Sequence, residues 1–264
     1  MTISTIDGYV ASAKFDALIN KTASRASLAA AWFSVFDLAG NPGPGVLAGT
    51  STAAGVVPDD ATAGCPVLPA FGGGATGYLS MADFGSSVAC RMKLFDMLFK
   101  AGAYAFNANT TLASQPSYSA RIPGANYAGT QIWIEAVTAF TGNPTITVTY
   151  TNQAGTAAKS TGAVAFGLAP TIGRLIQLPL AAGDTGVQKI ETVLSTVATV
   201  GTFNVLVLRP LWSGRCRIAN DGDVHGLDRT GMPQLFDTSA LYLAINADST
   251  ATGLPECEFQ ISNG

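Results

Sequence analysis

The chain has 264 residues, room for one large or two modest domains, but its 14 Lys+Arg and 17 Asp+Glu make up only 12% of it, about half the usual share. A folded monomer of 27.0 kDa should expose roughly 11,000 Å², which leaves about one charge per 350 Å² of surface. The 48% apolar content excludes charge-driven disorder, the irregular spacing of 29 Gly excludes collagen, and the net charge of −3 excludes a dedicated nucleic-acid binder.

Residues 1–15 carry Asp7 and Lys14 and lack a basic segment followed by an apolar one, so no secretory leader is expected. The densest apolar run, 28–36, is too short to span a membrane, and synthesis in a cytosol follows as the expectation. Residues 12–27 read as a helix, with Phe15, Leu18, Ile19, Thr22 and Ala26 on one face and Ser12 as N-cap. Residues 32–38 read as a strand, ended by Gly40-Asn41-Pro42-Gly43-Pro44-Gly45. From there to about residue 80 the chain is loop-rich, and so long a loop is normally functional or contact-forming. Residues 84–101 predict a second helix: Val88, Met92, Phe95 and Phe99 form a stripe, Asp96 pairs with Lys100, and Gly102 suits the position after the last turn.

After Pro116 the apolar period changes to two. In residues 145–150 apolar side chains alternate with threonine, as a half-buried antiparallel strand requires. Residues 131–140 read as a strand joined to it in a hairpin through Thr141-Gly142-Asn143-Pro144, and Asn152-Gln153-Ala154-Gly155 supplies the next turn. Residues 175–180, 203–208, 239–245 and 257–261 follow as strands. Residues 188–198 fit a helix or a strand, and their β-branched content favours the strand. The fold class is therefore mainly β: an antiparallel β-sandwich or jelly-roll-like domain over 111–264. An irregular N-terminal region with two short helices, over 1–110, packs on it.

Chemical motifs are sparse. The richest polar cluster, 215–229, holds Arg215, Arg217, Asp221, Asp223, Asp228, Arg229 and the only histidine, His225. Asp221, Asp223, His225 and Gly226 match the opening of a calcium loop, but Met232 stands where the bidentate Glu belongs, so a charged surface loop is the better reading. An Asp/His/Asp group could supply an acid and a base, yet nothing adjacent identifies a nucleophile. Gly72, Gly74 and Gly77 match G-x-G-x-x-G without the helix and βαβ unit that a dinucleotide site needs. Trp32, Trp133 and Trp212 could stack sugars, but each has apolar neighbours and reads as core. Cys65, Cys90, Cys216 and Cys257 form no C-x-x-C pair and are expected as buried reduced thiols. No catalytic residue, metal or cofactor is assigned.

The text Thr145-Ile-Thr-Val-Thr-Tyr-Thr-Asn-Gln-Ala-Gly155, together with residues 186–193 and 201–210, resembles β-sandwich structural proteins of tailed double-stranded DNA bacteriophage heads, including capsid decoration (cement) proteins, over residues 120–212. The resemblance implies a non-enzymatic, commonly trimeric subunit on the capsid exterior. Its partners would be the major capsid protein or other virion subunits, with neither nucleic acid nor membrane. A tail or baseplate component and a carbohydrate-binding or adhesin module are the alternatives. The charge-depleted stretches 26–90 and 101–158 are the surfaces expected to be covered, with the N-terminal arm and the 40–80 loop making the contacts.

Overall fold

A computed structural model describes residues 3–73, 75–167, 171–196 and 200–264. The protein is mainly β, with antiparallel pairing throughout and an exposed surface of 10438 Å². Helix α1 (Ile6–Ala11) comes first, and the first strands are β1 (Ala13–Lys21), β2 (Trp32–Ser34), β3 (Gly40–Asn41), β4 (Gly77–Ser86) and β5 (Cys90–Ala105). Then come β6 (Asn109–Thr111), β7 (Gln131–Ala136), β8 (Thr145–Asn152), β9 (Lys159–Ser160), β10 (Val164–Ala165) and β11 (Arg174–Leu178). The chain closes with β12 (Val187–Ser195), β13 (Thr202–Cys216), β14 (Asp221–His225), helix α2 (Leu227–Thr230), β15 (Gln234–Leu235), β16 (Leu241–Ala247) and β17 (Pro255–Asn263).

Six strands close into a barrel in the order β11-β2-β16-β5-β13-β7. One antiparallel sheet, β14-β4-β17-β1-β3 with β15 on β4, packs on barrel strands β5 and β16; the other, β10-β8-β12-β6 with β9 on β8, packs on β7 and β13. Three apolar clusters follow from this layering. Met92, Leu94, Leu243 and Ile245 of the barrel meet Ile19, Phe84, Phe259 and Ile261 of the first sheet. Ile132, Ile134, Val205 and Val207 meet Ile146, Val148, Ile190 and Val193 of the second. Phe95, Trp133, Leu206, Leu208 and Tyr242 fill the barrel itself. Strands of the first 110 residues share a sheet with β17 and the barrel with β13 and β16.

Both helices expected at 12–27 and 84–101 are replaced by strands. Residues 12–27 contain β1, which buries Ala17, Ile19 and Lys21 in alternation and pairs with β17 along its length; Ser12 instead closes α1, donating to the Tyr9 carbonyl at 2.7 Å. Residues 84–101 lie in β4, β5 and the turn between them, and β5 is buried on both faces from Leu94 to Gly102. Its apolar run therefore carries no period that separates strand from helix. The expected Asp96–Lys100 pair does not form: Asp96 takes Arg121 and Arg209, and Lys100 donates to the Val46 carbonyl. Gly102 sits within β5, where a Cβ would come 2.3 Å from Asn204 Oδ1.

The 131–140/145–150 hairpin is also corrected, since β7 pairs with β11 and β13 in the barrel while β8 pairs with β12, β9 and β10 in the second sheet. The segment between them crosses layers, anchored by Phe140 against Phe106 and Phe166. The alternation in β8 and the turn at 152–155 are present, and the strands expected at 203–208 and 257–261 lie within β13 and β17; the one at 175–180 holds to Leu178 in β11 and the one at 239–245 from Leu241 in β16. The strand reading of 188–198 holds as far as Ser195; Val197 and Ala198 lie outside the described residues, as does Gly74 of the glycine motif.

Candidate functional site

Where β5, β2 and the ends of β13 and β16 meet, the barrel opens into a cavity of about 380 Å³. Residues opposite one another in an antiparallel ladder share a face, and the register sets Arg215 beside Arg91, and Lys93 beside Ser213 and Ala244. Arg91 is followed on that face by Asn246 and then Trp32. The mouth is thus lined by Arg91, Lys93 and Arg215, with Arg217 and Arg229 completing it. The Lys93 ammonium lies 4.9 Å from the Trp32 ring and 5.6 Å from that of Trp133, and its burial lowers its pKa.

Strand β14 brings in Asp223 and His225, both on the side of β14 that faces Phe84 and Ala82 of β4. His225 is 7% exposed and fixed in orientation: the Trp212 indole N–H donates to Nδ1 at 3.0 Å, and Phe84 packs edge-on at 4.9 Å. With Nδ1 accepting, the neutral ring carries its proton on Nε2, which lies 3.5 Å from Asp223 Oδ2. Burial lowers the His225 pKa, Arg229 lowers it further, and Asp223 opposes both. Arg229 donates to the same Asp223 oxygen at 3.0 Å and, with the Val224 backbone N–H, holds that carboxyl below the usual range.

The expected site residues are therefore divided. Asp223 and His225 line the mouth, whereas Asp221 belongs to a separate cleft with Asp83 and Glu256. The segment is a strand, not a wrapping loop, and among the described residues no group of three His, Cys, Asp or Glu is placed to hold a metal ion. Arg91, Lys93 and Trp32 were missed as site residues because the first two lay in an expected helix. Trp133 and Trp212 are 1% and 5% exposed, as the core reading has them, and Trp32 is half-buried beneath Lys93.

The four cysteines are free and buried. Desolvation pushes the Cys65 and Cys216 thiols up to about 12. A buried network fills the barrel wall: Glu135 accepts from Tyr242 at 2.7 Å and Asn204 at 2.8 Å, while Asp96 holds Arg121 and Arg209. The long loop from 42 to 73 lies along the part of β5 that β16 leaves unpaired, through Val56–Lys100 backbone bonds in both directions and Gly102 N–H to Ser51.

A second surface feature concerns contact rather than chemistry. Helix α1 buries none of its residues, and Ile6 and Val10, one helical turn apart, are each 69% exposed. Val46 and Val67 of the long loop are exposed to 65% and 75%. No helix among the described residues is long and apolar enough to cross a membrane.

No protein-family model matches the chain, and no curated protein matches it. Among solved structures it is similar to the VP2 subviral particle of infectious bursal disease virus, at 12% identity and a TM-score of 0.19 over 95% of this chain and 79% of that one. A structure of the Gx strain of the same virus matches at 14% identity and a TM-score of 0.17, over 72% of this chain and 40% of that one. Likeness at this level defines no shared fold.

Proposed function

We propose that this protein is a non-enzymatic structural subunit of a virion, of the capsid-decoration kind, which binds the outer shell and bridges neighbouring subunits through apolar contacts. The observation that carries the reading is α1, whose Ile6 and Val10 present an apolar stripe that nothing among the described residues covers. A six-residue helix gains little from its own hydrogen bonds. Burial of those two side chains against another subunit supplies the missing stabilisation, about 1.5–3 kcal/mol each at full burial. The charge-poor composition, the layered antiparallel sheets and the phage-like text around residues 145–155 support the same reading. A jelly-roll-like or sandwich ancestry for those layers, assembly as a trimer, and a place on the capsid exterior belong to this proposal.

The test is quantitative mass spectrometry of purified particles from cells carrying the encoding genome, beside light scattering of the isolated protein. A copy number set by shell symmetry supports the reading, and absence of the chain from particles overturns it. Low copy number confined to tails would assign it to the tail or baseplate instead.

A further inference from the structure

The mouth of the barrel concentrates positive charge in a chain that has little of it. Five of the 14 Lys+Arg residues line one cavity, against a single carboxylate, Asp223. That carboxylate already accepts from Arg229 and neighbours His225. Arg91, Lys93, Arg215 and Arg217 have no ion-pair or hydrogen-bond partner for their charged groups among the described residues. Moreover, Arg91 and Arg215 stand directly opposite each other in the β5–β13 ladder, where like charges destabilise a sheet. An arrangement that costs stability in the empty protein gains it back when an anion sits between the two guanidinium groups.

We propose that this mouth binds a small multivalent oxyanion carrying two or more phosphate or sulfate groups. Arg91, Arg215 and Arg217 supply planar forks that match tetrahedral oxyanions, and Lys93 supplies a point charge deeper in the barrel. His225, held by Trp212, keeps Nε2 toward Asp223 beside Arg229 and adds no charge of its own to the mouth when neutral. The cavity, about 380 Å³, falls in the range of small-ligand sites and is larger than one phosphate fills. The mouth of a small barrel is also a common position for such sites. This inference does not depend on the shell reading.

The test is isothermal titration calorimetry of the full chain at low ionic strength, with pyrophosphate, triphosphate and a disulfated disaccharide as separate probes. Saturable binding is expected, stronger for the probes than for orthophosphate, and weakened by added salt. Arg215→Ser and Arg91→Ser are each expected to weaken it about tenfold or more, the effect of losing one charge-assisted hydrogen bond. Lys189→Ser, an exposed site on the far sheet, should leave it unchanged. Without anion, Arg215→Ser should melt no lower than the parent protein, because it removes the repulsion. Arg217→Ser serves if that variant fails to fold. The tighter of the phosphate and sulfate probes names the source of the ligand. Absence of saturable binding to all three, or equal binding by the Arg variants, overturns the proposal. So does self-association that is lost in Arg215→Ser without anion binding, which would assign the mouth to an acidic surface of a second copy.

Discussion

Asp96→Asn is the most informative perturbation of this fold. The Asp96 side chain is fully buried between two arginines: Oδ1 accepts from the Ala240 N–H at 3.1 Å and is ion-paired with Arg121 at 3.2 Å, while Oδ2 accepts from Arg209 and Ser239, each at 3.1 Å. An amide of the same volume must therefore point its NH₂ at one guanidinium group or the other. It also leaves two buried arginines, 4% and 9% exposed, without a counter-charge. Removing one partner of a buried ion pair typically costs about 3–5 kcal/mol. That is a large part of the roughly 5–15 kcal/mol that holds a domain together. At about 2–4 °C per kcal/mol for a chain of this size, Tm should fall by roughly 6–20 °C. Guanidinium unfolding followed by circular dichroism measures the loss directly, with the exposed Asp237→Asn as a control expected within about 0.5 kcal/mol of the parent. A loss below about 1 kcal/mol at unchanged m would refute the argument, for it would mean that the two arginines do not need the carboxylate's charge.

Other consequences are open to simpler tests. The lowered pKa of His225 means that the unfolded chain binds the proton more readily, so the stabilising contribution is complete above the ordinary value of 6.5 and is lost as pH falls toward the folded-state pKa. Melting curves between about pH 5 and 7 should therefore slope less in His225→Gln than in the parent protein. With the Cys65 and Cys216 thiols pushed up to about 12, and Cys257 raised by complete burial, the folded protein should react with a thiol reagent at pH 8 only as fast as it opens; all four thiols should react at once in denaturant. Prompt labelling of the native protein would show that the cysteine layer is accessible. Ile6→Asp with Val10→Asp should leave the Tm of the isolated protein within about 2 °C, since surface changes cost little, yet abolish incorporation into particles; normal incorporation would remove α1 from the contact.

The parts of this fold legible in the sequence are those with one wet face. In β8, Ile146, Val148 and Tyr150 are buried and Thr145, Thr147 and Thr149 are half-exposed, so the period of two is written directly in the residue types. Strand β5 has no such face, because Leu94 packs outward on the first sheet, Phe95 inward in the barrel and Phe99 against the second sheet. Its apolar run satisfied a helical template by accident. For β1 the deciding information lay more than 200 residues away in β17, which supplies its ladder. The same mistake hid half of the candidate site. Arg91-x-Lys93 points both side chains to one face only if β5 is a strand, and Arg215-x-Arg217 gains its meaning only from Arg91 across the ladder, a pairing that the residues around 215–229 do not encode.

Low charge is usually a statement about composition, but here its placement matters more than its amount. Lys21, Lys100, Arg121 and Arg209 are buried, and five further cations line the barrel mouth. Only Lys14, Arg25, Lys159, Arg174 and Lys189 remain for all other surfaces. Of the 17 Asp+Glu, only Asp96 and Glu135 are buried and Asp223 stands at the mouth, so the remaining fourteen carboxylates leave the other surfaces net acidic. What draws another subunit to those surfaces is the apolar gain from covering the exposed Ile6, Val10, Val46 and Val67. The barrel mouth is the opposite case: cations packed at ladder spacing hold another subunit off unless its surface is acidic or a small anion has already neutralised them. Positive charge that is scarce everywhere else and crowded at one opening separates the surface suited to apolar contact from the surface suited to an anionic ligand.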